Sequence, residues 1–234
     1  FAADLKAHGG DPAEVRHVCM DMSAAYAKGA TLALPQADIS YDRFHVVAMA
    51  IQAMDDVRRE ELRAEPAQVA AALQGADPET RRNLLWGMRK NPVGWTAAQT
   101  DAMYWLQRSA LKSARAWRLR MALREVYARA RQHNSAEQAA SDLKAWTSWA
   151  RRCRLEPFKK LATTIKERFD AVVRGMLDHR SNAFVESMNG QLQQAKRAAR
   201  GYRTAKNFIA IAYLRLSRLK NLPAHPFSPA AAVS

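Results

Sequence analysis

Residues 15–42, VRHVCMDMSAAYAKGATLALPQADISYD, contain the strand signals of this chain. Each signal is a short apolar run that ends in an acid, the first at Asp21 and the second at Asp42. The residues from Ser23 to Leu34 are typical of a helix and are followed by Pro35. A strand, a crossover helix and a second strand predict two parallel, adjacent strands. Asp21 and Asp42 are then expected at the carboxyl edge, where open α/β sheets bind their ligands.

Almost all of the chain after Arg43 is predicted to be helical. An amphipathic pattern begins at Phe44, and a capping box is predicted from Thr96 to Gln99. Further helical segments are expected over about residues 112–131, 136–152 and 157–177, whereas the tail from Pro223 onward is predicted to be disordered. The sequence therefore predicts a mainly helical α/β fold with two parallel strands near its beginning.

Residues 181–202 read as one helix with a single acid, Glu186, on its polar face. Ser181 is a candidate N-cap and Gly201 a candidate helix stop. The expected apolar face consists of Val185, Met188, Leu192, Ala195 and Ala199. The polar face carries the amides Asn182, Asn189 and Gln193 and then the cations Lys196, Arg197 and Arg200, followed by Arg203. Such a face is most often merely solvated, but this order also suits a metal ligand followed by phosphate contacts.

The composition indicates a polyanionic partner. The 234 residues include 37 Lys and Arg against 22 Asp and Glu, a formal net charge of +15, and residues 1–56 alone are net negative. The basic surface is therefore expected after residue 56. No apolar run is long enough to span a membrane, and the two cysteines lack metal-ligand spacing, so reducing cytoplasm is the expected location. The first residues read as the middle of a helix and not as a signal peptide, which indicates a fragment or a lost upstream segment.

Taken together, these motifs resemble the DDE transposases of bacterial insertion sequences. The resemblance is carried by four stretches spread over about residues 15–220: CMDMSAAY at 19–26, PQADISYDRFH at 35–45, NAFVESMNG at 182–190 and KRAARGY at 196–202. Within that family, the chain resembles the branch with an all-helical insertion before the final Glu. The order and spacing of the motifs are more specific than any one of them.

The resemblance implies an RNase H-like catalytic core in which two Asp and one Glu hold two divalent metal ions, Mg²⁺ or Mn²⁺. Asp21 takes the position of the second Asp and Glu186 that of the final Glu. The implied domains are a partial core at 1–56, a helical insertion at 57–165, helices completing the core at 166–222 and a tail at 223–234. The implied partner is double-stranded DNA at insertion-sequence terminal repeats, with a further copy or a full-length transposase as a protein partner.

The chain departs from the family pattern at the first Asp. In the family this residue lies on the first core strand, whereas Asp4 and Asp11 of this chain are predicted in a helix and a turn. We therefore expect this polypeptide to be incapable of strand transfer by itself. The alternative from the sequence is a non-catalytic DNA-binding or regulatory remnant of a transposase.

Several further residues are candidates for supporting roles. Asp42 could be a metal ligand, a hydrogen-bond partner of the catalytic acids or the N-cap of the next helix. His45 is more typical of a partly buried histidine than of a ligand, and Asn182 and Asn189 could orient a bound water or phosphate. Most of the six Trp residues are expected in the core, with one or two able to stack on DNA bases near arginine clusters such as Arg151, Arg152 and Arg154.

Overall fold

The computed structural model of the protein describes residues 1–73, 78–178 and 183–216. The chain divides into two compact units, Phe1–Ser181 and Asn182–Ser234. The described residues are mainly helical and contain one two-stranded sheet. The predicted mainly helical α/β class is therefore confirmed at this coarse level. The four domain boundaries expected from the sequence stay a prediction.

The sheet and its crossover helix form as predicted. Strand β1 covers His17–Met20 and strand β2 covers Asp38–Tyr41, and the two run parallel. Helix α2, Ala24–Ala33, connects them, and the Ser23 hydroxyl accepts a hydrogen bond from a backbone N–H in its first turn. The backbone N–H of Asp42 extends the pairing by donating to the carbonyl of Met20 over 2.9 Å.

The further helices of the first unit lie before and after the sheet in the chain, and several of them build most of its core. They are α1 (Ala2–Ala7), α3 (Arg43–Ala64), α4 (Pro66–Ala72), α5 (Pro78–Arg89), α6 (Ala97–Arg108), α7 (Lys112–His133), α8 (Ala136–Arg152), α9 (Glu156–Glu167) and α10 (Phe169–Leu177). Met54, Leu123, Leu143 and Phe158, from α3, α7, α8 and α9, are almost fully buried. The predicted capping box at Thr96 is present at the start of α6.

One helix prediction is wrong in its extent. The segment expected over residues 157–177 is two helices, α9 and α10, with Arg168 between them in a non-helical conformation. Both helices contact α8, but α9 also lies against α3 whereas α10 lies mainly against β2. The chain turns between the two helices so that each can reach its own packing partners. The hydrophobic periodicity of the sequence cannot show such a turn.

Helix α10 approaches the sheet very closely. A Cβ atom added to Gly175 would lie 2.0 Å from the carbonyl oxygen of Tyr41, so only glycine fits there. On the next residue before it, the Arg174 Nε–H donates to the carbonyl of Ile39 over 2.8 Å. These two contacts hold α10 against β2 near the carboxyl end of the strand.

Buried charged side chains supply caps that the local sequence does not. Leu111, the N-cap of α7, makes no side-chain cap bond. Instead the buried carboxylate of Glu61 accepts the backbone N–H groups of Lys112 and Ser113, at 2.5 and 2.9 Å. Such bonds satisfy donors that a helix leaves unpaired in its first turn.

The opposite end of another helix is closed by a buried arginine. Arg120 of α7 is 4% exposed and donates to the carbonyls of Met88, Arg89 and Lys90. These are carbonyls at the carboxyl end of α5, which also lack partners within their helix. The charged guanidinium thus joins α5 to α7 through backbone groups.

The second unit is described over two helices, α11 (Ala183–Ala198) and α12 (Ala205–Leu216). Helix α11 ends in a pair of bonds from Arg200 N–H to Arg197 and from Gly201 N–H to Lys196. Arg200 has φ 53° and Gly201 φ 97°, so the predicted stop is present, with an arginine in the position that glycine usually takes. The cap candidate Ser181, the amide Asn182 and the tail at 223–234 lie outside the described residues.

The apolar face predicted for α11 is only partly confirmed. Ala195 is buried and Met188 and Leu192 are half-buried, but Val185 and Ala199 are exposed. The buried positions lie toward α12, against which α11 packs.

No helix in the described ranges is long and apolar enough to cross a membrane.

Candidate functional site

Asp21 and His45 meet at the carboxyl edge of the sheet. Asp21 directly follows β1, and His45 lies in the first turn of α3, which starts just after β2. The His45 Nδ1 lies 3.8 Å from Oδ1 of Asp21, and the two side chains are 39% and 46% exposed. The edge therefore presents an accessible carboxylate beside an imidazole, in the place that the βαβ topology predicts for a ligand.

Asp42 faces the interior and caps α3. It is 2% exposed, and its Oδ1 accepts the backbone N–H of Phe44 over 2.8 Å. Burial, and then the negative charge of Asp42, raise the pKa of Tyr127 on α7. Of the roles open from the sequence, the N-cap is thus observed, and a supporting role toward the catalytic acids stays a prediction.

A third acid that the sequence interpretation missed lies at the same edge. Asp178 directly follows α10, and its Oδ2 accepts a hydrogen bond from the Ser40 hydroxyl over 3.3 Å. The only signal for it in the sequence was an acid placed just after an apolar helical run. Because α10 packs on β2, that position brings the carboxylate next to the end of the strand.

The thiol of Cys19 reports how much negative charge gathers at this edge. Burial raises its pKa, and the charges of Asp42, Asp178 and Asp21 raise it further, against an opposing hydrogen bond with Ser40. Cys19 is half-buried and lies near these acids.

The donor atoms fit a hard divalent cation in type but do not complete a site in this unit. Asp21 offers carboxylate oxygens, which Mg²⁺ and Mn²⁺ prefer. Within residues 1–73, 78–178 and 183–216, however, no three His, Cys, Asp or Glu side chains are grouped so as to hold a metal ion.

Glu186 and the predicted cations belong to the second unit. Glu186 lies in the first turn of α11 and is exposed, as is Asn189 one turn later. The predicted phosphate-binding residues, Lys196, Arg197, Arg200 and Arg203, are exposed as well. Since Asp21 belongs to the first unit, the expected approach of Asp21 and Glu186 stays a prediction.

The tryptophans divide as expected into a core majority and a small exposed group. Trp146 is buried and donates from Nε1 to the carbonyl of Leu119, and Trp95 and Trp117 pack together with ring centroids 5.9 Å apart. Trp86 and Trp149 are 50% and 43% exposed. Of these two, Trp149 lines a surface pocket with arginines and is the candidate for contact with a ligand.

Comparison with known proteins shows the family of the chain. A family model described as Transposase, of the DDE ISL3 group, matches residues 1–212. This chain belongs to that family of bacterial insertion-sequence transposases. It is 32% identical over 224 residues to the "Transposase for insertion sequence element IS1557" of two strains of Mycobacterium tuberculosis, CDC 1551 / Oshkosh and ATCC 25618 / H37Rv.

The match to these relatives is uneven in length. It covers 88% of this chain but 48% of each relative, so the transposase chain spans about half the length of the curated proteins it matches. No solved structure matches significantly.

Proposed function

We propose that this transposase chain contributes the second Asp and the final Glu of a DDE active site, which cleaves DNA and transfers strands at insertion-sequence ends. The observation that carries the proposal is the half-exposed Asp21 carboxylate at the carboxyl edge of a parallel βαβ unit, with His45 beside it. The family membership and the exposed Glu186 on a cation-bearing helix support it.

The same elements support a partial RNase H-like core. Strands β1 and β2 with α2 between them, and α10 packed on β2, would belong to this core. Residues 57–165 would be the helical insertion, and residues 166–222 would complete the core around Glu186.

Asp21 and Glu186 would hold the divalent ions. When bound, two such ions activate the attacking water or 3′-hydroxyl and stabilise the leaving oxygen of the phosphodiester. His45 would orient the Asp21 carboxylate, and Asp42 would hold the first turn of α3 in place so that His45 stays next to it. Asn182 and Asn189 would position a water or phosphate near Glu186.

The DNA contacts would come from the exposed cations that follow Glu186. Lys196, Arg197, Arg200 and Arg203 offer four positive charges for phosphates of double-stranded terminal repeats. A cytoplasmic, nucleoid-associated location and assembly with another transposase copy would follow from that task.

Residues 1–234 by themselves would bind DNA without cutting it, because they provide two of the three carboxylates of the family pattern. The test incubates DNA carrying the element's ends with Mg²⁺ or Mn²⁺ and either this polypeptide or a version extended before residue 1 by a first core strand with an Asp. We expect cleavage only by the extended version, and its loss in Asp21→Asn and in Glu186→Gln. Asp38→Asn, at the opposite edge of the sheet, is the matched control.

Two results would contradict the proposal. Metal-dependent cleavage by residues 1–234 that Glu186→Gln abolishes would refute the incapacity of this polypeptide. Cleavage by the extended version that survives both substitutions would refute the DDE assignment.

The alternative is a non-catalytic DNA-binding or regulatory protein. It is favoured by the exposed cations Lys196, Arg197, Arg200 and Arg203, which can bind DNA phosphates without a metal ion. Salt-sensitive DNA binding with no cleavage by any extended version would support it.

A further inference from the structure

A surface pocket of about 330 Å³ lies between α7 and the carboxyl end of α8, far along the chain from both proposed catalytic acids. Its volume is in the range of small-molecule sites. The residues that line it are Arg115, Arg118, Leu119, Trp149, Arg152, Cys153 and Arg154. More than half of this lining is therefore arginine, and none of it is acidic.

In the part of the chain that the structure describes, the arginines of the pocket have no acidic partner. Arg115, Arg152 and Arg154 are exposed, and within the described residues none of the four arginines forms an ion pair. Arg118 donates from Nη2 to the carbonyl of Gln107, which holds that side chain but leaves its charge uncompensated. Four close like charges repel one another, so the arrangement is best satisfied by an anion with several charged oxygens.

A tight turn between α8 and α9 forms one side of the pocket. Arg154 has φ 59°, in the left-handed region that non-glycine residues rarely adopt. It lies between Cys153, the C-cap of α8, and the buried Leu155, the N-cap of α9. This short turn places Arg154 beside Arg152 at the pocket and not along the next helix.

An exposed indole completes the pocket. Trp149 is 43% exposed, whereas Trp146, three residues earlier on α8, is 3% exposed and fixed by its bond to Leu119. Leu119 itself lines the pocket, so the hydrogen bond of Trp146 joins α8 to a residue of the lining. Binding of phosphate alone needs no aromatic surface. A nucleotide base can stack on such a surface, and it does so with little dependence on which base it is.

We propose that this pocket binds an unpaired nucleotide of a DNA strand, with the base stacked on Trp149 and the neighbouring phosphates held by Arg115, Arg118, Arg152 and Arg154. The inference rests on the proposed function in that the chain acts on DNA. It adds a separate contact in the helical block, specific for single-stranded character. Such a contact would favour DNA ends whose last bases have separated from their partners.

The test measures binding of residues 1–234 to two labelled DNA probes in the presence of a metal chelator. One probe is a fully paired duplex, and the other is the same duplex with a short gap that leaves thymidines unpaired. We expect the wild-type chain to bind the gapped probe more tightly. Trp149→Ala should lose about 10-fold in affinity for the gapped probe, as expected for one stacked base, and little for the paired one. Trp149→Phe should retain most of the preference.

Two further variants separate stacking from charge. Trp86→Ala removes an equally exposed tryptophan outside the pocket and should leave both affinities unchanged. Arg152→Gln should weaken the binding of both probes. It should also reduce the magnitude of the slope of log affinity against log salt by about 1, which corresponds to the loss of one phosphate contact.

The affinity for the gapped probe decides whether the inference is overturned. Equal affinity of Trp149→Ala and wild type for it, or equal weakening on both probes, would show that the pocket contacts only a duplex backbone or no DNA. Salt-sensitive duplex binding would then persist, and the proposed function would stand, because its own test depends on metal and on Asp21 and Glu186. Absence of DNA binding by the wild type to either probe would overturn both proposals.

Discussion

The Nδ1 atom of His45 lies 3.8 Å from Oδ1 of Asp21. The two residues are supplied by different strand ends, since Asp21 follows β1 and His45 follows β2 by four residues. A parallel pairing in which Met20 lies opposite Tyr41 is what brings these ends level. A histidine next to a metal-binding carboxylate can fix its orientation, so the pair connects the sheet to the proposed chemistry.

This relationship predicts that a metal ion at Asp21 is sensed by His45. Addition of Mn²⁺, which is paramagnetic, should broaden the imidazole NMR signals of His45 selectively. Asp21→Asn should remove most of that broadening, because the substitution deletes the charged oxygen nearest to the ring. The His45 signals are assigned by their loss in His45→Gln.

The opposite end of the sheet provides the control. His17 lies opposite Asp38 at the amino ends of the strands and should broaden less than His45, because paramagnetic broadening falls steeply with distance from the ion. Asp38→Asn should leave the response of His45 unchanged. Broadening of His45 that persists in Asp21→Asn would remove Asp21 from the metal site.

The carboxylate of Asp55 should make the free energy of unfolding depend on pH. Its carboxylate is 8% exposed and accepts hydrogen bonds from Arg58, Arg59 and Arg89, the last over 2.7 Å. Burial alone would raise its pKa, but the hydrogen bonds and charges of Arg89 and Arg58 outweigh burial and lower the pKa below its ordinary value of 3.8. Since the folded pKa lies below the unfolded one, the stabilisation is complete above about pH 4 and is lost as the pH falls through the folded pKa.

Asp55→Asn should therefore lower the free energy of unfolding at pH 7 by about 2 kcal/mol, because three arginines lose their charged partner. The difference from wild type should shrink at acid pH, as followed by urea unfolding monitored by circular dichroism. Asp56→Asn, which affects an acid that accepts one bond from Gln52, is the matched control and should change little. A difference in unfolding free energy between Asp55→Asn and wild type that grows as the pH falls would contradict a lowered pKa of Asp55 in the folded protein.

Removal of the Glu61 carboxylate should destabilise the start of α7 locally. Glu61→Ala should lower the free energy of unfolding by roughly 2 kcal/mol, since it leaves buried backbone donors of Lys112 and Ser113 without an acceptor. Hydrogen exchange of these two amides should accelerate more than that of amides in the middle of α7. Glu60→Ala removes an exposed neighbouring acid and should change neither. Uniform acceleration along α7 would indicate global destabilisation and not a lost cap.

The sequence predicts local features of this transposase chain better than its tertiary ones. The βαβ unit and the capping box at Thr96 follow from patterns a few residues long, and both are observed. The cap of α7 by Glu61 joins residues about fifty positions apart, and no local pattern contains it. Asp178 was missed for the same reason, because only the packing of α10 on β2 places it beside Ser40.

Gly175 gives the sharpest test of that packing. Gly175→Ala should lower the free energy of unfolding by more than about 3 kcal/mol, because the new methyl group would lie 2.0 Å from the Tyr41 carbonyl and push α10 away from β2. Gly29→Ala is the matched control, since its new methyl group meets no atom within 4 Å on α2 and should stabilise the helix by about 1 kcal/mol. Thermal unfolding of the two variants should shift in opposite directions. If Gly175→Ala were as stable as wild type, α10 could not lie on β2 as closely as described, and the place of Asp178 beside the strand would fall with it.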